Sequence, residues 1–179
     1  MLLWLIGADV FQIPQLHKHF NVGCNPCVKH PKAQVDTMWN EIKDETDIQN
    51  LKTLFGGFHD SCLRDVYIST SNYVDEKLAM NLENKTSASL LFQRQFKPDT
   101  VLELKFYDVQ QFHYEVVPDN YNAVIYDATL KIQDGLFYWA DDEEWELDEN
   151  DGVWISGKKL FWRMRPDLIG EVNRLGENH

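Results

Sequence analysis

Two adjacent glycines, Gly56 and Gly57, separate two kinds of periodicity in this 179-residue sequence. Before them, Ile48, Leu51, Leu54 and Phe55 recur at helical spacing, so their side chains share one face of a helix. After them the period drops to two, the signature of strands with one buried face. Glycine tolerates the left-handed backbone that ends a helix, which makes the pair a natural C-terminal stop. Thr46 followed by Gln49 fits a capping box at the other end. One short helix followed by many strands, with no second helical pattern to serve as a crossover, predicts an antiparallel sheet. The expected fold is α+β: a helix from about Thr46 to Phe55, packed on a mostly antiparallel curved sheet or small sandwich.

The alternation runs through Val66 and Ile68; Leu78, Met80 and Leu82; Leu90, Phe92 and Phe96; and Leu102, Leu104 and Phe106. It continues through Phe112, Tyr114 and Val116, then through Val124, Tyr126, Ala128, Leu130 and Ile132. Asp134-Gly135 is a tight-turn signal that folds this last run back on Leu136–Ala140. Asp151-Gly152 is expected to do the same between Trp145–Leu147 and Val153–Ile155, and a final strand over Leu160–Arg165 ends at Pro166. Residues 1–37, rich in proline and histidine, read as an N-terminal extension to a domain over 38–166. Residues 167–179 read as a C-terminal tail, either a short helix or a frayed end.

Lysine and arginine number 17 against 29 acidic residues, a net charge of −12. Such a field repels phosphate backbones, so nucleic acid is not an expected partner, while a basic protein is. The alternative is that the charge only maintains solubility. Three cysteines, an odd number, do not suit a disulfide framework and fit a reducing cytoplasm. The apolar opening Met1–Ile6 lacks a basic flank, is soon interrupted by Asp9 and is too short to span a bilayer. The expectation is a soluble cytoplasmic protein with no membrane partner.

Three clusters could carry chemistry. The first follows the glycines: Phe58-His59-Asp60-Ser61-Cys62 sets imidazole, carboxylate, hydroxyl and thiol on consecutive residues. On an extended chain His59 and Asp60 would point to opposite faces, so Asp60 could not orient the imidazole as a triad requires. Three roles stay open: Asp60 or Ser61 bonding backbone donors at a turn with His59 on a carbonyl, contact with a partner, or a metal or catalytic site that His113 would help complete. The second is Cys24-Asn25-Pro26-Cys27, half of a zinc knuckle, for which His30 is the nearest further ligand. His17, His19 or Cys62 could complete the shell instead of His30, and an inert or a redox pair is the alternative there. The third is the acidic run Asp141–Asp151. Its register does not fit a calcium-binding EF-hand loop, because Gly152 at the obligate glycine puts Leu147 and Lys158 at ligand positions. Trp145 within it, flanked by Glu144 and Glu146, either anchors the loop on the core or offers a contact to a basic partner. Lys158, Lys159, Arg163 and Arg165 are expected to pair with this acidic loop or to face solvent.

From Met38 to about Pro166 the chain resembles a group of small bacterial proteins without an assigned activity. The shared pieces are Met38-Trp39-Asn40-Glu41-Ile42, Gly57-Phe58-His59-Asp60-Ser61-Cys62, Phe112-His113, Trp139-Ala140-Asp141 and Lys159-Leu160-Phe161-Trp162-Arg163. The opening Trp–helix–His-Asp–strand layout is also similar to an immunity-protein family of bacterial toxin systems, which implies binding and inhibition of a toxin. The sequence thus favours a non-enzymatic acidic binding protein, an inhibitor or immunity-like partner of a basic protein, contacting it through Trp145, Glu144, Glu146 and His59. The competing reading is a metal-dependent enzyme built on His59, Asp60 and His113.

Overall fold

The structure, a computed structural model, describes residues 38–149, 151–172 and 174. The proposed zinc ligands Cys24, Cys27 and His30 lie outside the described residues. The elements in order are β1 (Asn40–Ile42), α1 (Glu45–Phe55), a 3-10 turn (Gly56–Phe58), β2 (Ser61–Thr70), β3 (Tyr73–Val74) and β4 (Met80–Asn81). They continue with β5 (Thr86–Arg94), β6 (Val101–Tyr114), β7 (Thr129–Gln133), β8 (Leu136–Ala140), β9 (Val153–Met164) and a second 3-10 turn (Pro166–Leu168). The fold is α+β, with one seven-stranded antiparallel sheet in the order β2-β5-β6-β9-β8-β7 and β1 beside the C-terminal half of β9. The sheet stays open, and β3 and β4 form a separate small hairpin.

Helix α1 starts one residue before the expected Thr46, because Asp44 is the cap: its Oδ1 accepts the Asp47 N–H at 3.0 Å. Asp47 in turn accepts the Lys43 N–H at 2.9 Å, so Asp44 and Asp47 perform the reciprocal bonding expected of Thr46 and Gln49. At the far end Gly56 is left-handed (φ 61°) and its N–H bonds the Lys52 carbonyl, as the glycine pair suggests. A Cβ on Gly56 would also lie 2.8 Å from Arg94 Nη1, whose guanidinium covers the Phe55 ring and donates to the Leu54 carbonyl.

Several strand expectations needed revision. The runs around Leu104 and Phe112 are one 14-residue strand, β6, and those around Ile155 and Leu160 are one 12-residue strand, β9. Both stay continuous by bending. Asp108 takes a left-handed φ of 50° within β6, and the register shifts between Val109 and Gln111 against β9. Gly157 lies opposite this bend, where a Cβ would come within 3.0 Å of the Tyr107 carbonyl oxygen. The Leu78–Leu82 alternation forms only the two-residue β4, with Leu78, Met80 and Leu82 exposed and Asn81 half-buried. Trp145–Leu147 forms no strand, so Asp151-Gly152 does not close a hairpin there. The Asp134-Gly135 hairpin is present, with Gln133 opposite Leu136.

The inner face of the sheet and the buried side of α1 enclose the core. Ile48, Leu51 and Phe55 meet Leu90, Phe92, Leu102, Leu104, Phe106, Trp139, Ile155 and Leu160. Phe58 sits at its centre, edge-on to Phe55 at 5.3 Å and to Phe92 at 5.1 Å, while Trp139 lies 4.8 Å from Phe92. Aromatic pairs in this geometry add about 0.5–1.5 kcal/mol each beyond the area they bury. Phe58 reaches the core only because its own backbone is left-handed, φ 70°. The glycine turn therefore also delivers a core ring. Among the described residues no helix is long and apolar enough to cross a membrane.

Candidate functional site

The left-handed stretch that ends α1 stops at Phe58; His59 is extended (φ −57°, ψ 138°), and Asp60 turns left-handed again, φ 53°. His59 and Asp60 therefore stand in a turn rather than on a continuously extended chain, and the two side chains meet, His59 Nδ1 lying 3.2 Å from Asp60 Oδ2. The expectation that neighbours must diverge is overturned by this backbone. Ser61 Oγ donates to the Phe58 carbonyl at 2.5 Å, so the hydroxyl locks the turn as a donor, not as the acceptor expected for it. The His59 side chain is 57% exposed. His113 belongs to a different environment near the end of β6, stacked on Trp154 with ring centroids 6.0 Å apart and planes 14° from parallel. His59, Asp60 and His113 line none of the cavities of about 270, 120 and 470 Å³. Among the described residues, no group of three or more His, Cys, Asp and Glu side chains is placed to hold a metal ion.

The acidic loop is built differently from a floppy charged tract. Trp145 is 3% exposed and packs 5.2 Å from Trp154 and 5.9 Å from Tyr138, with Ala140 completing the cluster. The ring is an anchor, and this corrects its assignment as a surface contact: the indole is covered by the protein's own outer-face residues. Around it the backbone is tied down at several points. The Thr129 N–H bonds the Asp142 carbonyl at 2.9 Å, Thr129 Oγ1 donates to the Glu143 carbonyl at 2.8 Å, and Lys131 Nζ donates to the Trp145 carbonyl at 3.0 Å. Asp142, Glu143, Glu144, Glu146, Asp148 and Glu149 all remain exposed. Glu146 reaches Lys131 Nζ at 3.3 Å; Glu144 turns its N–H to Asp142 Oδ1. Asp141, at the loop's start, is held above the ordinary carboxylate range by burial, against the pull of the Val153 N–H that it accepts at 2.9 Å.

A third site was not legible as a cluster, because it is assembled from four separate stretches on the outer face. Glu103 of β6 is 3% exposed, in register with Leu91 of β5 and Arg163 of β9. Its Oε2 accepts from Arg163 Nε at 2.7 Å and from Arg165 Nη1 at 3.1 Å; its Oε1 accepts from Arg174 Nη1 at 2.6 Å. Arg163 and Arg165 thus pair with a buried glutamate, not with the acidic loop as their place in the sequence suggested. Arg165 also forks onto Asp167, whose carboxyl this hydrogen bond holds below its usual range. Arg174 Nη2 bonds Asp65 and, at 3.1 Å, the Ser89 carbonyl. Asp65, Val66, Tyr67, Ser89, Glu103 and the three arginines line the cavity of about 270 Å³. The sequence hint was Glu103 itself, a charged residue set among Val101, Leu102 and Leu104 at the buried start of β6.

No family model matches the chain, and no curated protein or solved structure is significantly similar to it. The functional reading accordingly rests on the geometry of these three places and on the sequence motifs.

Proposed function

We propose that this chain is a non-enzymatic acidic binding module of the cytoplasm whose partner is a basic protein, acting as an inhibitor in the manner of the immunity proteins its opening motifs resemble. The observation that carries this reading is the braced acidic loop. Six exposed carboxylates lie within the eight residues 142–149, on a backbone fixed by the buried Trp145 and by Thr129 and Lys131. A charged surface held rigid before contact avoids part of the ordering cost of association and steers a cationic partner toward it. The net charge of −12 acts in the same direction and disfavours nucleic acid. Apolar anchors for such a contact stand exposed on the β3–β4 hairpin, where Tyr73, Leu78 and Met80 are 60%, 84% and 75% exposed.

The test is retention of cell proteins on the immobilised chain at about 0.15 M salt. A variant with Asp142→Asn, Glu143→Gln, Glu144→Gln and Glu149→Gln serves as the control. The expected result is one stoichiometric protein of isoelectric point above about 9, lost from the variant and released by higher salt. A stoichiometric acidic partner, or one held equally by the variant, contradicts the reading.

A further inference from the structure

We propose that the outer face carries a guanidinium-binding site, occupied in this structure by the chain's own Arg174, which lines the adjoining cavity, and that an arginine side chain of the partner takes Arg174's place. The pocket presents acceptors in the pattern that a planar fork requires. Glu103 Oε1 stands on one side and Asp65 with the Ser89 carbonyl on the other, and Arg174 spans them with Nη1 and Nη2. An ammonium group, being a point donor, cannot span both sides, so the pattern selects arginine over lysine.

Charge sets the need for a cation. With Arg174 removed, Glu103, Asp65 and Asp167 face Arg163 and Arg165, three carboxylates against two guanidinium groups. Arg163 and Arg165 both bond Oε2 of Glu103, which leaves Oε1 to Arg174. The nearby Lys105 is turned away onto the Trp39 and Tyr107 rings, at 5.6 and 4.8 Å from their centroids. A buried carboxylate oxygen without a donor is costly, so the vacated pocket takes up another cation.

Arg174 is held as a replaceable occupant. The C-terminal segment is fixed as far as Gly170 by the buried Leu168 and by Gln93 Nε2, which donates to the Leu168 and Gly170 carbonyls at 2.7 and 2.8 Å. Beyond that point Glu171 and Val172 are exposed, and Arg64 reaches the Glu171 carbonyl only at 3.4 Å. Arg174 Nε is buried without a hydrogen-bond partner, so the internal occupant leaves one donor unmet. The open space of about 270 Å³ beside it gives an incoming side chain room to enter. On the basic partner proposed above rests the identity of the displacing arginine; the pocket's preference for a planar cation stands apart from it.

The experiment measures binding of N-acetyl-arginine amide, N-acetyl-lysine amide and N-acetyl-citrulline amide to the full chain and to its Arg174→Ala variant by amide chemical-shift titration. The variant is expected to bind the arginine probe about tenfold or more tightly than the full chain does, since the internal competitor is gone. It is expected to prefer arginine to lysine and to citrulline by a similar factor, and Asp65→Asn in the same background to remove that preference. Equal uptake of arginine and lysine by the variant, or uptake of neither, overturns the proposal. Should Arg174→Ala lose its cooperative melt, Arg174→Lys, which keeps a cation but not the fork, is titrated instead, with the same preference expected and its absence again decisive. The small probes report on the pocket alone, and the loop-neutralised variant reports on the basic partner, so either can fail without the other.

Discussion

On the inner face of the sheet Leu90, Leu104 and Trp162 stand side by side across β5, β6 and β9; one residue along, on the outer face, the row reads Leu91, Glu103 and Arg163. The strands and ladders are the same, and Leu104 and Glu103 are both essentially buried. What differs is the covering layer. Inside, α1 and the Phe58 turn supply apolar rings, so non-directional burial suffices. Outside, the covering layer is the C-terminal segment with its arginines, and burial of Glu103 depends on three guanidinium groups meeting two oxygen atoms. Apolar packing of this kind builds a scaffold with little selectivity, while a buried charged row specifies which groups can sit on it.

This contrast breaks most sharply at Phe92, which touches both Phe58 and Trp139. Phe92→Ala should cost about 3–5 kcal/mol of stability in denaturant melts, the range for opening a cavity in a packed core. A loss below about 1 kcal/mol would mean that the inner face is not the scaffold. Glu103→Gln comes next, at about 3 kcal/mol, because it strands buried guanidinium groups. The comparison sharpens when Glu103, Arg163 and Arg174 are all changed to methionine. Stability should then return to near the parent value, whereas a compensated apolar swap can rescue nothing if the outer row is only solvent-facing decoration.

The smallest effect separates two carboxylates by pH. Asp167 is held low by Arg165, so its folded value lies below its unfolded one. Its contribution is present above the ordinary carboxylate range and is lost as pH falls through the folded value. Asp141 is raised by burial, so its ionised form is disfavoured in the fold and its contribution to stability grows as pH falls through the raised value. Asp167→Asn should therefore flatten the acid side of the stability profile, and Asp141→Asn should raise stability near neutral pH. Melting temperatures recorded from acid to neutral pH check both signs.

The inner face was legible because period-two alternation marks Leu102, Leu104 and Phe106 directly, and Gly56-Gly57 marks the end of α1. Long-range polar assembly leaves no such trace. Asp65, Glu103, Arg163 and Arg174 come from four places in the chain; strand register aligns the first three, and Arg174 joins them from beyond the last strand. The same limit explains His59 and Asp60: their contact depends on positive φ at Phe58 and Asp60, a conformation that aspartate adopts more readily than most residues but that nothing in the sequence marks at Phe58. Trp145 shows an intermediate case. Its sequence position left anchor and contact open, and only the aromatic partners Tyr138 and Trp154 decide for the anchor.

The central claim is that recognition belongs to the acidic loop and the outer-face pocket, with the inner face as their support. Its most direct test is an amide chemical-shift map of the chain titrated with a short arginine-rich peptide. The account predicts perturbations gathered at residues 142–149 and around Asp65, Ser89 and Glu103, fading as salt rises. Perturbations centred instead on His59, Asp60 and His113, or spread evenly over the sheet, would contradict it.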